Sequence, residues 1–214
     1  MSDFDAFISY SRKDVAFARA LEKALKACRP PRDLDRPQRH LRVFRDEADF
    51  TGGEYTEAIR RHLNAAGKLI VLCSPAARAS RYVDEEIRLF AELHGTEAIV
   101  PVLLSGVPNN EASPGQDAEL AFPASLCRLM AVPLAADYRG FDAGRPRPDR
   151  GIHESAWFKL LADLYGVPRS EIEQREKRRQ ATVRRRWIGG TAAVVASLAA
   201  LSVWALVSRA EAIR

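Results

Sequence analysis

The chain has 214 residues, 47% hydrophobic and 29% charged, a balance that excludes disordered, collagen-like and disulfide-scaffold classes and leaves room for one or two domains. Its three cysteines, Cys28, Cys73 and Cys127, are far apart and form no CxxC pair, so neither a disulfide framework nor a thiolate zinc site is expected, and the compartment reads as reducing. The net charge of +5 is local: Lys and Arg number 23 against 24 Asp and Glu over residues 1–168, 8 against 3 over 169–186, and 2 against 1 over 187–214.

Residues 5–11 are a short apolar run closed by small polar residues, the pattern of a buried strand ending in a loop. A helix follows, with Asp14 as its cap, Val15, Ala18, Leu21, Leu25 and Cys28 on one face, and Pro30-Pro31 ending it. Residues 41–44 read as a second strand; a charged loop over 45–53 with two glycines leads to a helix that aligns Tyr55, Ile59 and Leu63. Residues 68–73 are an unbroken apolar strand closed by Ser74-Pro75, and the next helix, 82–94, turns Val83, Ile87 and Phe90 inward. Residues 98–104 form a fourth strand, in which Pro101 removes one ladder donor and so predicts an edge position or a bulge. A long polar loop is expected over 105–127 and a fifth strand over 130–135, and Trp157, Leu160, Leu161 and Leu164 mark a last helix. His62 and His94 read as helix-surface or packing residues.

Strands and helices that alternate with short connections predict an α/β fold of flavodoxin-like type, a parallel five-stranded sheet with helices on both faces. Ligands of such sheets sit at the carboxyl ends of the strands, which singles out residues 9–13, 45–53 and 74–82. Residue types then exclude several chemistries: there is no GxxxxGK[ST] phosphate loop, no GxGxxG after the first strand, and no HExxH or other clustered ligands among the four histidines. A phosphoacceptor receiver would need a carboxylate at the end of strand three, where Cys73 and Ser74 stand. What remains is the acidic run Asp84, Glu85 and Glu86 early in a helix; Tyr82 and Glu86 share one helix face, while the macrodipole alone would favour all three acids at the surface.

Beyond residue 168 the chain changes character. Residues 187–207 carry no charge over 21 positions, enough for a helix of about 31 Å across a hydrocarbon core of roughly 30 Å. Trp187 and Trp204 lie near its ends, and Arg184, Arg185 and Arg186 precede it. A single-pass helix in the inner (cytoplasmic) membrane is expected, with residues 1–186 in the cytoplasm by the positive-inside rule and the arginines at anionic headgroups rather than on nucleic acid. Met1 to Tyr10 does not read as a signal peptide.

Three motifs together resemble the Toll/interleukin-1 receptor (TIR) domain family. Phe7 to Asp14 (FISYSRKD) is similar to the family's first-strand motif, and Phe44-Arg45-Asp46 with Gly52-Gly53 to its loop after strand two. Leu72 to Pro75 with Ser80 to Glu86 (SRYVDEE) is similar to its SxW[CV]xxE signature. A TIR body over 1–166, a basic juxtamembrane helix over 167–186, a transmembrane helix over 187–207 and a short tail over 208–214 resemble bacterial members that often continue into repeat domains.

The resemblance implies an NAD+ glycohydrolase in signalling or defence, with NAD+ as substrate, no other cofactor and no metal. Glu86 stands at the position of the signature glutamate that breaks the nicotinamide–ribose bond; Tyr82 replaces the usual tryptophan, and Glu85 is the alternative carboxylate. It also implies substrate contacts from Ser9, Tyr10, Ser11 and Arg12 after strand one, with Arg12 or Arg45 as a bidentate donor to the pyrophosphate. Asp46 is a loop cap or a contact, Phe50 a packing anchor or a stacking partner, and Ser74 and Ser80 element ends or contacts. Other TIR domains are the implied partners, through the loop over 45–53. A non-catalytic TIR scaffold, or transfer of a group between nucleotides by the same glutamate, remains open at this point.

Overall fold

The structure, a computed structural model, describes residues 2–30, 39–45, 54–144 and 146–175, with side chains of the second helix from residue 57. One compact unit spans Met1–Ile172; a second, Glu173–Arg214, is described only at residues 173–175, which are helical.

Four of the apolar runs form strands: β1 (Ala6–Ser9), β2 (Val43–Arg45), β3 (Leu69–Cys73) and β4 (Ile99–Leu103). With β5 (Ala136–Asp137) they pair in parallel in the order β2-β1-β3-β4-β5, so the chain reverses its direction of winding between β1 and β3. Residues alternate between the two faces. Ala6, Ile8, Ile70, Leu72, Val100 and Val102 pack under α1 (Val15–Ala27) and α6 (Glu154–Tyr165). Phe7, Leu69, Val71, Cys73, Ile99 and Leu103 pack under α2 (Glu54–Ala65), α4 (Arg81–His94) and α5 (Ala124–Leu129). Ser9 has the parity of Phe7 and therefore faces α4.

The helices bury the stripes their periodicity marks: Ala18, Leu21 and Leu25 on α1, Ile59 and Leu63 on α2, Val83, Ile87 and Phe90 on α4, and Trp157, Leu160 and Leu161 on α6. His94 packs as expected, stacked on Phe90 with Nε2 3.0 Å from the Leu63 carbonyl, and the His62 ring lies 4.7 Å from Phe44.

Four expectations are corrected. The fifth strand lies at Ala136–Asp137 rather than over 130–135, since Pro133 lacks a ladder donor and Val132 and Leu134 are 57% and 72% exposed. The span expected to be loop over 105–127 holds the start of α5 and a 3-10 turn at Asp117–Glu119, with Phe122 and Leu126 in the core. The stretch 74–82 likewise holds a one-turn helix, α3 (Pro75–Arg78), capped by Ser74. β4 is not an edge strand. Its Leu103 carbonyl accepts from the Tyr138 amide on the β5 side and the Leu104 amide donates to Cys73 on the β3 side, so by alternation the donor missing from Pro101 faces the β5 side. There β5 has not yet begun, because it pairs only with Val102 and Leu103. Among the described residues no helix is long and apolar enough to cross a membrane; the span expected over 187–207, with Arg184, Arg185 and Arg186, lies outside the described residues.

Candidate active site

The winding reverses between β1 and β3, the place where sheets of this kind bind ligands, and Ser9, Asp14, Ser74 and Glu86 meet at the carboxyl ends of those two strands. Glu86 falls on the buried stripe of α4, three residues after Val83 and four before Phe90, and is 7% exposed. It is held by the last residue of β1: Ser9 Oγ donates to Glu86 Oε2 at 2.5 Å. A carboxylate on an apolar helix face requires such a partner, since burial without one costs several kcal/mol, on the order estimated for desolvated ions.

The three consecutive acids separate by environment. Glu85 is half-exposed, 3.9 Å from Arg88 on the same helix. Asp84 is spent on structure: it accepts from the Ser125 amide at 2.6 Å and the Ser125 hydroxyl at 2.7 Å, which satisfies the first turn of α5. Only Glu86 turns to the strand ends. Asp84→Ala is therefore expected to lower stability by about 1–2 kcal/mol, the usual cost of a lost helix cap and its buried bonds, while activity per folded molecule stays unchanged; thermal unfolding beside an activity assay checks both.

Ser74, 1% exposed at the end of β3, donates to Asp14 Oδ2 at 2.6 Å and accepts from the Ala77 amide at 3.0 Å. Asp14 therefore does not cap α1, as its sequence position predicts. It closes the 3-10 turn Arg12–Asp14 and reaches across to β3 instead. Arg45 is likewise turned inward. It ends β2 rather than entering the loop, and its guanidinium donates to Glu22 Oε2 at 2.6 Å and the Tyr10 hydroxyl at 3.2 Å, with side-chain exposures of 7% for Arg45 and 17% for Glu22. Arg12, the other cation expected at a pyrophosphate, is exposed in the turn after β1. Ser11 precedes that turn and its carbonyl accepts from the Asp14 amide at 2.7 Å; Ser80 caps α4, accepting from the Val83 amide at 3.4 Å. Tyr82 is 47% exposed one turn before Glu86, with the Arg81 guanidinium 5.0 Å from its ring centre. Asp46, Phe50, Gly52 and Gly53 lie outside the described residues.

Cys73, the other reactive type at the strand ends, is fully buried, and burial pushes its thiol well above the ordinary range, so little thiolate forms there. Sequence reasoning missed Asp14 as a partner at the strand ends and Glu22 as the partner of Arg45. Both partnerships join residues distant in the chain, and no local pattern signals them.

A doubly wound parallel sheet with a buried, serine-held glutamate at its switch point defines a flavodoxin-like α/β protein. The sequence matches the TIR domain family over residues 6–129, more than half of the chain, and the chain belongs to that family. It is 30% identical over 211 residues to the NAD(+) hydrolase ApTIR of Actinoplanes sp. (strain SE50/110), a match that covers 91% of this chain and 28% of that protein. The chain thus spans less than a third of the length of this curated relative. Among solved structures, the TIR domain of the Toll-related receptor TRR-2 from Hydra magnipapillata is 16% identical with a TM-score of 0.44, covering 75% of this chain and 98% of that one.

Proposed function

We propose that this chain is an NAD+ glycohydrolase that releases nicotinamide and ADP-ribose, linear or cyclised, when its TIR domains assemble. The observation that carries the reading is Glu86: of three consecutive acids it alone is buried, and a strand-end serine holds it at the switch point. The relative named an NAD(+) hydrolase supports the same activity. The substrate is NAD+, and the chemistry asks for no metal and no second cofactor.

The physical logic follows the charge. Nicotinamide is cationic while bound to ribose and leaves neutral, so positive charge builds on the ribose as the bond breaks. A fixed carboxylate next to that ribose stabilises the oxocarbenium-like centre, and the charge counts for more in a crevice than in water. Ser9 orients the carboxylate through Oε2. Tyr82 offers a ring one turn away for the nicotinamide, and Arg12 a guanidinium for the pyrophosphate.

The proposal includes a bilayer anchor at residues 187–207, Arg184 to Arg186 at anionic headgroups and residues 1–186 on the cytoplasmic side, supported by the uncharged run and the one-sided arginines. Confinement to a surface raises local concentration, and with it assembly. The full chain tethered to liposomes at rising density tests this: NAD+ loss per molecule is expected to climb with density. A rate per molecule independent of density contradicts assembly-dependent activity.

A further inference from the structure

Two serine–carboxylate pairs cross at the switch point. Ser9, ending β1, holds Glu86 of α4; Ser74, following β3, holds Asp14, which follows β1. The two acids are not equivalent. Glu86 is buried, whereas Asp14 is partly exposed, and its Oδ2 takes the Ser74 hydroxyl while Oδ1 accepts no hydrogen bond among the described residues. The Asp14 side chain accepts no hydrogen bond from the first turn of α1, so it does not serve as that helix's cap.

We propose that Asp14 is the general base of the hydrolytic step, taking the proton from the water that attacks the ribose. The assignment rests on the NAD+ reading above. As the C1′–N bond breaks, its electron pair leaves with nicotinamide; the water oxygen forms the new bond to C1′, and its proton passes to Asp14 Oδ1 and then to solvent. No oxidant or reductant enters. Glu86 and Asp14 divide the labour of the carboxylate pair familiar from glycoside hydrolysis, one facing the developing cation and one the water. Burial raises the Asp14 carboxyl above its ordinary range, against the opposing pull of the Ser74 bond and Lys13, which makes it a better proton acceptor than an exposed aspartate.

A nucleophile without a proton to lose separates this role from a structural one. The full chain assembled on liposomes is given NAD+ together with 3-acetylpyridine, whose ring nitrogen attacks C1′ as a neutral base. ADP-ribose and the exchanged dinucleotide are measured in the same sample. Asp14→Asn keeps an acceptor for Ser74 and is expected to lower hydrolysis about 100-fold while exchange stays within about threefold. Glu86→Gln is expected to lower both. The ratio of exchange to hydrolysis does not depend on how much of the variant folds, so a poorly folding Asp14→Asn is still decisive. Parallel loss of both reactions in Asp14→Asn, or loss of neither, overturns the assignment. A wild-type chain that is assembled yet inert in both overturns the NAD+ reading itself, and the assignment with it.

Discussion

Glu86→Gln is expected to abolish NAD+ cleavage, with the rate falling at least about 100-fold, the scale of removing one preorganised electrostatic group from a transition state. Glutamine keeps the shape and still offers an oxygen to the Ser9 hydroxyl, so the site should persist and the unfolding midpoint should move little. The loss then reads as loss of charge and not of fold. Glu85→Gln is the internal control: Glu85 is half-exposed beside Arg88, and the change is expected to leave the rate within about twofold. If Glu85→Gln were the inactive variant, the site would be misplaced by one residue, and the burial of Glu86 would need another explanation.

The second large effect is on stability. Glu22 is 17% exposed and bridges two cations, Arg45 at 2.6 Å and Lys26 at 2.6 Å. Glu22→Ala leaves the Arg45 guanidinium buried without its carboxylate, for which breaking a buried pair costs about 3 kcal/mol, or roughly 9 °C in midpoint for a body of this size. Replacing both partners by apolar residues, Glu22→Leu with Arg45→Met, should recover most of that loss, because neither charge is then stranded. Burial pushes the Glu22 carboxyl up, but the bonds from Lys26 and Arg45 outweigh it and hold the carboxyl below its ordinary range. A carboxyl held low in the folded state contributes stability that is full above the unfolded pKa, about 4.3, and is lost as pH falls through the folded value. Thermal unfolding of wild type and Glu22→Ala should therefore differ by a constant amount from pH 7 to 5 and converge in more acid solution. A difference that persists undiminished into strong acid contradicts the pairing.

The architecture was legible because its strands are apolar runs bounded by breakers. Residues 68–73 announce a buried strand by composition alone, and the helix after them repeats apolar residues at three- and four-residue steps that land in the core at Val83, Ile87 and Phe90. Glu86 was legible only through its place in the TIR-like signature; the macrodipole accounts equally for all three acids, and it is the packed structure that buries Glu86 between Val83 and Phe90. The fifth strand was not legible. It is the pair Ala136 and Asp137, with no apolar run of its own, and the more hydrophobic stretch just before it contains Pro133 and is exposed at Leu134.

Partnerships across the fold were hidden too. Asp14 precedes an amphipathic helix and so looks like its cap, yet its partner Ser74 lies 60 residues on and meets it only because β1 and β3 are neighbours. Arg45 reads as a loop cation ready for phosphate until α1 brings Glu22 beneath it. Asp84 and Glu86 are alike in sequence, and only the packing of α5 against α4 assigns one to a helix end and leaves the other to the strand ends.

The most direct test of the central claim is a product balance: nicotinamide and ADP-ribose, linear plus cyclised, measured by chromatography against NAD+ consumed by the full chain assembled on liposomes. Glycosidic cleavage predicts one nicotinamide for every NAD+ lost, with the linear and cyclised products together accounting for the remainder. NAD+ left intact by a chain that is demonstrably assembled would contradict the account and assign this TIR domain to contacts between proteins instead of chemistry.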